Sequence, residues 1–229
     1  MRKIIFAEGE FYHIYNRGTD KRTIFLDDQD FARFLQSMIE FNTTNPIGSL
    51  YQNSFHKNKN QLRSLASKSD TVSGEDEKLV EIIAYCLNPN HFHFVLRQIS
   101  DRGIAQFMQR LGTGYTKYFN HKYERTGALF QGTFKAIHVD SNEYLLHVSA
   151  YVNLNYRVHQ LRSLASKYRT SWGEYVGAMH GKKKEGGMCD TDPILGQFRE
   201  KQDYIQFAEN SLKGTLERRG LLDEAILLE

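Results

Sequence analysis

Cysteine, proline and tryptophan are scarce in this 229-residue sequence, which has two, three and one of them. Two cysteines, Cys86 and Cys189, make no disulfide scaffold, which indicates a reducing compartment. Apolar runs are only a few residues long, against the roughly 18 residues that a membrane span needs. Glu8 and Glu10 come too early for a secretory signal. These shortages predict a cytoplasmic protein that does not enter a membrane.

What the sequence does contain is enough apolar and aromatic material for a folded core. Hydrophobic residues make up 40%, with 15 Phe and 13 Tyr, so wholesale disorder is excluded. The net charge of +3 is small but unevenly distributed. Residues 101–135 carry six bases against two acids, and residues 186–229 carry nine acids against five bases. This distribution fits a polyanion binder with an acidic segment that covers the basic groove or supports folding, although solvated helix faces produce the same pattern.

Periodicity predicts an α+β fold. Strand patterns lie at 10–15, 82–87, 91–96 and 129–139, and helix patterns start at 28, 104 and 142 and recur after 193. Gly112 and Gly114 have low helix propensity, so the pattern supports the second half of the helix that starts at 104 less strongly than the first. The order of these elements predicts an antiparallel sheet with helices packed on one face, plus a helical C-terminal extension.

Composition divides the chain into three parts. Residues 1–180 form the expected domain, interrupted by a polar insertion at 52–78 that is poor in large apolar groups. A Gly/Lys-rich linker follows at 181–192, and residues 193–229 form an acidic, helical extension.

Two histidines, His91 and His93, alternate with apolar residues on a predicted strand. Because side chains of a strand alternate between faces, both imidazoles point to the same side and could begin a metal site. The alternative is that both rings bond to backbone or solvent while Phe92 and Phe94 fill the core. A zinc site completed by Cys86 is a further alternative, although this cysteine lacks a paired CxxC partner.

The helix predicted at about 142–155 carries a polar stripe of His147, Tyr151 and Asn155, which are four residues apart. Successive members rotate only ~40° around the axis, so they share one face. A phenol titrates near ~10, but a neighbouring divalent cation makes the phenolate accessible. Two imidazoles and an amide oxygen would leave coordination positions open for substrate. A solvated helix face gives the same stripe.

Several motifs together resemble the single-tyrosine HUH transposases, and in particular their REP-associated branch. The matching segments are residues 11–18, 86–96, 107–111, 127–132 and 144–155. The resemblance implies a ferredoxin-like, RRM-like core and a divalent ion, Mg²⁺ or Mn²⁺. It also implies an enzyme that cleaves and rejoins single-stranded DNA during transposition.

The family pattern assigns roles to individual residues. His91 and His93 match its metal ligands, and Asn155 matches the position that completes the metal site. Tyr151 matches the nucleophile that forms a 5′-phosphotyrosine intermediate. His147 has no role in the pattern, and we expect it to support the metal site from outside the ligand set. The family often has proline after the asparagine, whereas Tyr156 follows here.

The resemblance also implies the partner, a single-stranded or hairpin DNA of palindromic repeat elements, bound by a monomer or a homodimer in a bacterial cytoplasm. Basic residues interleaved with aromatic ones would contact the DNA. The candidates are Arg17, Arg110, Lys117, Arg125 and Lys135. A protein of the same fold that binds hairpin DNA or RNA without catalysis is the alternative.

Overall fold

The computed structural model describes residues 4–45, 47–48, 77–159, 167–177 and 187–227, with side chains up to Arg218. Most of the predicted insertion at 52–78 and the first half of the predicted linker at 181–192 lie outside these residues. Within the described part of the chain, no helix is long and apolar enough to cross a membrane.

A five-stranded sheet forms the centre of the fold. Its strands are β1 (Phe11–Arg17), β2 (Val80–Asn88), β3 (His91–Gln98), β4 (Lys135–Val139) and β5 (Arg169–Thr170). Their spatial order is β4-β1-β3-β2-β5, and all neighbouring pairs are antiparallel. The order of the first four strands is that of a ferredoxin-like βαββαβ core. The predicted α+β class with an antiparallel sheet is therefore confirmed.

Helices follow the strands in the predicted order. They are α1 (Asp28–Glu40), α2 (Gly103–Lys122), α3 (Asn142–Asn153), α4 (Asn155–Val158), α5 (Trp172–Gly177), α6 (Asp192–Leu195) and α7 (Lys201–Leu227). Side chains cap two of them: Asp27 accepts from the Asp30 amide at the start of α1, and Ser141 accepts from the Tyr144 amide at the start of α3. Each cap satisfies an amide that has no partner within its helix.

The two faces of the sheet bury separate cores. Phe94 of β3 lies in the first core with Phe34 of α1, and α2 packs on this same face. Val95, the next residue of β3, lies in the second core with Val148 of α3 and Tyr204 of α7. The predicted packing on one face holds for α1 and α2, whereas α3 and the C-terminal extension cover the opposite face.

Two elements differ from the prediction in extent. Helix α2 continues without a break through Gly112 and Gly114, and a Cβ at position 114 would come within 2.7 Å of Phe41 Cε2. That glycine therefore serves close packing against the end of α1 and does not end the helix. The strand predicted at 129–139 forms only at Lys135–Val139, preceded by an isolated bridge between Phe130 and Gly18.

Candidate active site

Three imidazoles cluster on the face of the sheet that α3 covers. His91 and His93 share this face of β3, with ring centroids 5.3 Å apart and planes at 90°. His13 reaches them from the neighbouring strand β1, and its Nε2 shares a hydrogen bond of 2.9 Å with Nδ1 of His93. His159, just after α4, places its ring 4.6 Å from that of His91. The predicted common face of the HxH pair is therefore present; it carries His13 as a third histidine, and His159 adds a fourth ring from outside the sheet.

Burial keeps the imidazoles of His13, His91 and His93 uncharged. Desolvation lowers the pKa of His13 to about 4. It also lowers the pKa of His91 to about 4, with a further lowering by His159. The pKa of His93 lies well below its usual value, first because of burial and then because of the neighbouring histidines. Neutral imidazole is the form that ligates metals.

The hydrogen bonds of His91 define its tautomer. Nδ1 lies 2.7 Å from Oδ1 of Asn90, a pure acceptor, so Nδ1 carries the proton. Nε2 lies 3.0 Å from the amide nitrogen of Asn88 and therefore accepts. The lone pair of Nε2 consequently points into the site.

Asn88 also orients the side chain of Asn155. Its Nδ2 donates to Asn155 Oδ1 at 2.7 Å, and this oxygen lies 3.3 Å from His91 Nε2. Asn155 Nδ2 is buried without a hydrogen-bond partner among the described residues. An unpaired buried donor costs about 1–3 kcal/mol, so the amide is held with its oxygen toward His91 at a cost in stability.

Tyr151 approaches the imidazoles from α3. Its ring stands edge-on to His93 at 5.6 Å and to His13 at 6.0 Å. The single helix predicted at 142–155 is interrupted: α3 ends at Asn153, Leu154 has φ −105° and ψ 10°, and Asn155 begins α4. The break nevertheless leaves Tyr151 and Asn155 on the same side as the histidine pair.

A cavity of about 910 Å³ opens beside Tyr151. Its walls come from β1, β3, α3 and α7, with His13 and His93 in the floor. His147, predicted to support the metal site, lines this cavity and also contacts α7, and its role stays a prediction. Its Nδ1 lies 3.0 Å from Oγ of Ser211, and its ring packs on Phe207 at 4.9 Å.

The donor set fits a divalent ion. No group of three or more His, Cys, Asp or Glu side chains able to hold a metal occurs among the described residues, so an amide oxygen would have to join the two imidazoles. His91 Nε2 and Asn155 Oδ1 are 3.3 Å apart, close to the ~3 Å between adjacent ligands at right angles around an ion with ~2.1 Å bonds. Burial raises the pKa of Cys86 to about 12, and its thiol lies 3.6 Å from Asn88 Oδ1; the zinc alternative stays a prediction.

The basic residues predicted to contact DNA are spread over the surface. The Lys135 ammonium lies 6.0 Å from the centroid of the Tyr15 ring, which stacks with His93. Lys117 lines another cavity, of about 660 Å³, on the α2 side of the sheet. The other three already bond within the protein: Arg17 to Gln131, Arg110 to the carbonyls of Phe41 and Thr43, and Arg125 to Asn120. Their DNA contacts stay predictions.

Sequence reasoning missed His13, Asn88 and Asn90. His13 lies 80 residues before His93, and the signal that could have found it is its position on the alternating strand Phe11–Arg17. Asn88 and Asn90 flank Pro89, and this sequence by itself indicates only a turn.

Comparisons with known proteins bear on the family resemblance and on the fold. The family model described as "Transposase IS200 like" matches residues 50–155, just under half of the chain. Among solved structures, a REP-associated tyrosine transposase bound to a REP hairpin has a similar fold. The TM-score is 0.50 at 12% identity, over 83% of this chain and 96% of that one. Among curated proteins, no sequence matches the chain.

The matched segment contains the HxH pair, Tyr151 and Asn155, and the similar structure shares the fold. Residues 50–155 are thus similar to the IS200-like transposases, as the motifs predicted, and the chain shares the fold of a REP-associated tyrosine transposase.

Proposed function

We propose that this protein cleaves and rejoins single-stranded or hairpin DNA, with Tyr151 as the nucleophile. The observation that carries the proposal is the edge-on approach of the Tyr151 ring to His93 within one chain, at the mouth of a cavity. A nucleophile beside a group that can hold a metal is the arrangement that covalent phosphoryl transfer needs.

His91, His93 and Asn155 would hold the divalent ion, Mg²⁺ or Mn²⁺. His91 presents the Nε2 lone pair beside the Asn155 oxygen, as described above. His93 would present its Nε2 in the tautomer in which Nδ1–H donates to His13 Nε2. When bound, the ion would polarise an oxygen of the scissile phosphate and make phosphorus more electrophilic.

The reaction exchanges one phosphodiester bond for another. Oη of Tyr151 forms a bond to phosphorus while the bond from phosphorus to the 3′ oxygen breaks. The phenolic proton passes to solvent, and the departing 3′ oxygen takes up a proton. Attack by a 3′ hydroxyl on the resulting 5′-phosphotyrosine rejoins the DNA and restores the phenol.

The DNA partner is proposed to be a hairpin of a palindromic repeat. The fold-similar REP-associated transposase is described as bound to a REP hairpin. Because the phenol and the imidazoles meet within one chain, one copy holds the complete set of reacting groups. This supports action as a monomer, and a homodimer stays the alternative prediction.

The test incubates the protein with a 5′- or 3′-labelled DNA hairpin and Mn²⁺, followed by denaturing electrophoresis. We expect a covalent adduct that retains the label on the 5′-phosphate side. Tyr151→Phe should abolish the adduct, and His91→Ala should reduce it by at least about 100-fold if the ion stabilises developing charge.

Tyr168→Phe is the matched control, because this phenol stacks on Tyr156 at 4.1 Å, outside the cavity. It should leave the adduct yield unchanged. An adduct that persists in Tyr151→Phe would refute the assignment of the nucleophile. Tight hairpin binding with no adduct under any metal would leave the non-catalytic binding protein as the function.

A further inference from the structure

The C-terminal helix α7 forms one wall of the cavity that contains Tyr151. The opposite wall and floor carry Tyr151, His93 and His13, and α7 contributes Phe207, Gly214 and Arg218. The helix is fixed there by polar contacts to the helix of the nucleophile. Among them, the Tyr204 hydroxyl accepts from Asn153 Nδ2 at 2.9 Å, and Ser211 bonds to His147. The extension is thus part of the candidate active site.

The cavity wall of α7 differs in charge from the rest of the extension. The extension is acidic as a whole, yet the cavity-lining residues of α7 include no carboxylate among the side chains that the structure describes, which end at Arg218. They are Phe207, Asn210, Ser211, Gly214, Thr215 and Arg218. Two acids of α7 bind bases instead: Glu209 pairs with Arg157, and Glu217 lies 3.9 Å from Lys213. Up to Arg218, the α7 wall that faces Tyr151 is therefore neutral apart from this one arginine.

The size and chemistry of the cavity fit one strand of nucleic acid. Its volume of about 910 Å³ lies within the range of roughly 300–1,000 Å³ of ligand pockets. The Arg218 side chain lies along the wall, with Nε donating to the Gly214 carbonyl at 3.0 Å. A guanidinium is suited to phosphate oxygens, which it binds through paired N–H groups. A carboxylate-free wall avoids repulsion of a polyanion.

We propose that the α7 wall binds the DNA strand that carries the scissile phosphate, with Arg218 contacting a phosphate next to it. This inference rests on the proposed function, and it gives the C-terminal extension a role in substrate binding. It replaces the sequence-based expectation that this acidic segment covers a basic groove.

Gly214 allows the cavity to be filled without disturbing the helix. A Cβ placed there meets no heavy atom within 4 Å. Gly214→Leu should therefore project into the cavity while its higher helix propensity favours α7. Gly173→Leu in α5 is the matched control, because that glycine has equally open surroundings and does not line the cavity.

The experiment measures binding of a fluorescent DNA hairpin with single-stranded flanks of mixed sequence, by anisotropy in EDTA. We expect Gly214→Leu to weaken binding by at least about 10-fold with an unchanged or raised Tm, since one lost phosphate and base contact costs ~1–3 kcal/mol. Arg218→Ala should weaken binding and lower the slope of log K against log salt by about 1. Lys213→Ala, on the outer side of α7, should change neither.

The adduct assay separates the two proposals. If the wild-type protein forms the adduct and binds DNA no more tightly than Gly214→Leu and Arg218→Ala do, the inference about α7 is refuted and the proposed function stands. If no adduct forms but both cavity variants lose DNA affinity, the proposed catalysis fails and the DNA-binding wall is supported. Absence of DNA binding by the wild-type protein would refute both.

Discussion

The phenol ring of Tyr151 stands edge-on to the imidazole of His93, with centroids 5.6 Å apart and planes at 87°. The two residues are 58 positions apart in the sequence and belong to different layers, a helix and the sheet beneath it. Their approach depends on α3 packing on β2 and β3 through the second core. Conditions that loosen this packing should therefore affect the candidate active site before they affect the α1–α2 side.

Metal affinity should depend on Asn90, which accepts the Nδ1–H of His91. Asn90→Ala removes the acceptor that fixes the tautomer, so we expect Mn²⁺ affinity to fall about 10–100-fold. Asn90→Asp keeps an acceptor at the same position and should retain most of the affinity. Isothermal titration calorimetry of both variants measures the difference, and equal affinities would contradict the assigned tautomer.

The stability of the metal-free protein should rise with pH between about 4 and 6.5. His13 and His91 have folded pKa values of about 4 against 6.5 when unfolded. Between these two pH values the unfolded chain binds more protons than the folded chain. Each of the two histidines therefore lowers the free energy of unfolding by up to about 1.4 kcal/mol for every unit by which the pH falls. Urea unfolding in EDTA at several pH values measures the slope. His13→Gln should reduce it by the share of one histidine, and an unchanged slope would show that His13 does not contribute.

Tyr204 should stabilise the contact between α3 and α7. Its hydroxyl accepts from Asn153 Nδ2 and bonds to Ser149 Oγ, all within a buried region. Tyr204→Phe leaves the Asn153 donor unpaired, so the free energy of unfolding should fall by about 1–3 kcal/mol. The control is Tyr144→Phe, whose hydroxyl forms no side-chain hydrogen bond among the described residues. Chemical denaturation should show a change below about 0.5 kcal/mol for the control.

Gly112 and Gly114, the two glycines inside α2, should respond in opposite directions to alanine. Position 112 has open space where a methyl group would be added, so Gly112→Ala should stabilise the helix by about 0.5–1 kcal/mol. Position 114 would place its Cβ 2.7 Å from Phe41 Cε2, a buried ring. Gly114→Ala should therefore destabilise by about 1 kcal/mol or more despite its higher helix propensity. Thermal unfolding gives the Tm of each variant. Equal Tm values would show that the Phe41 ring moves aside without a cost in stability.

Sequence periodicity was sufficient for four of the five strands and for the long helices because their apolar faces are regular, whereas the two-residue strand β5 was not predicted. The alternation in His91–Gln98 defined both the strand and the shared side of its histidines. Periodicity does not predict contacts between distant segments. No local pattern indicates that His13 contacts His93, or that Asn88 bridges Asn155 and His91. These contacts follow from strand order and register, which are set by tertiary packing.

The helix break at Leu154 also escaped prediction. The spacing of Tyr151 and Asn155 is compatible with one continuous helix, and no glycine or proline marks the interruption. The orientation of Asn155 is instead determined by its buried bond to Asn88. Buried tertiary contacts of this kind override local helix propensity.

Strands β1 and β3 are each paired on both sides, β1 with β3 and β4, and β3 with β1 and β2. The imidazoles therefore stand on backbone whose amides should be among the slowest in the protein to exchange hydrogen with solvent. An incoming nucleic acid would meet a rigid floor, and any adjustment to its shape would have to come from the helical layer above it.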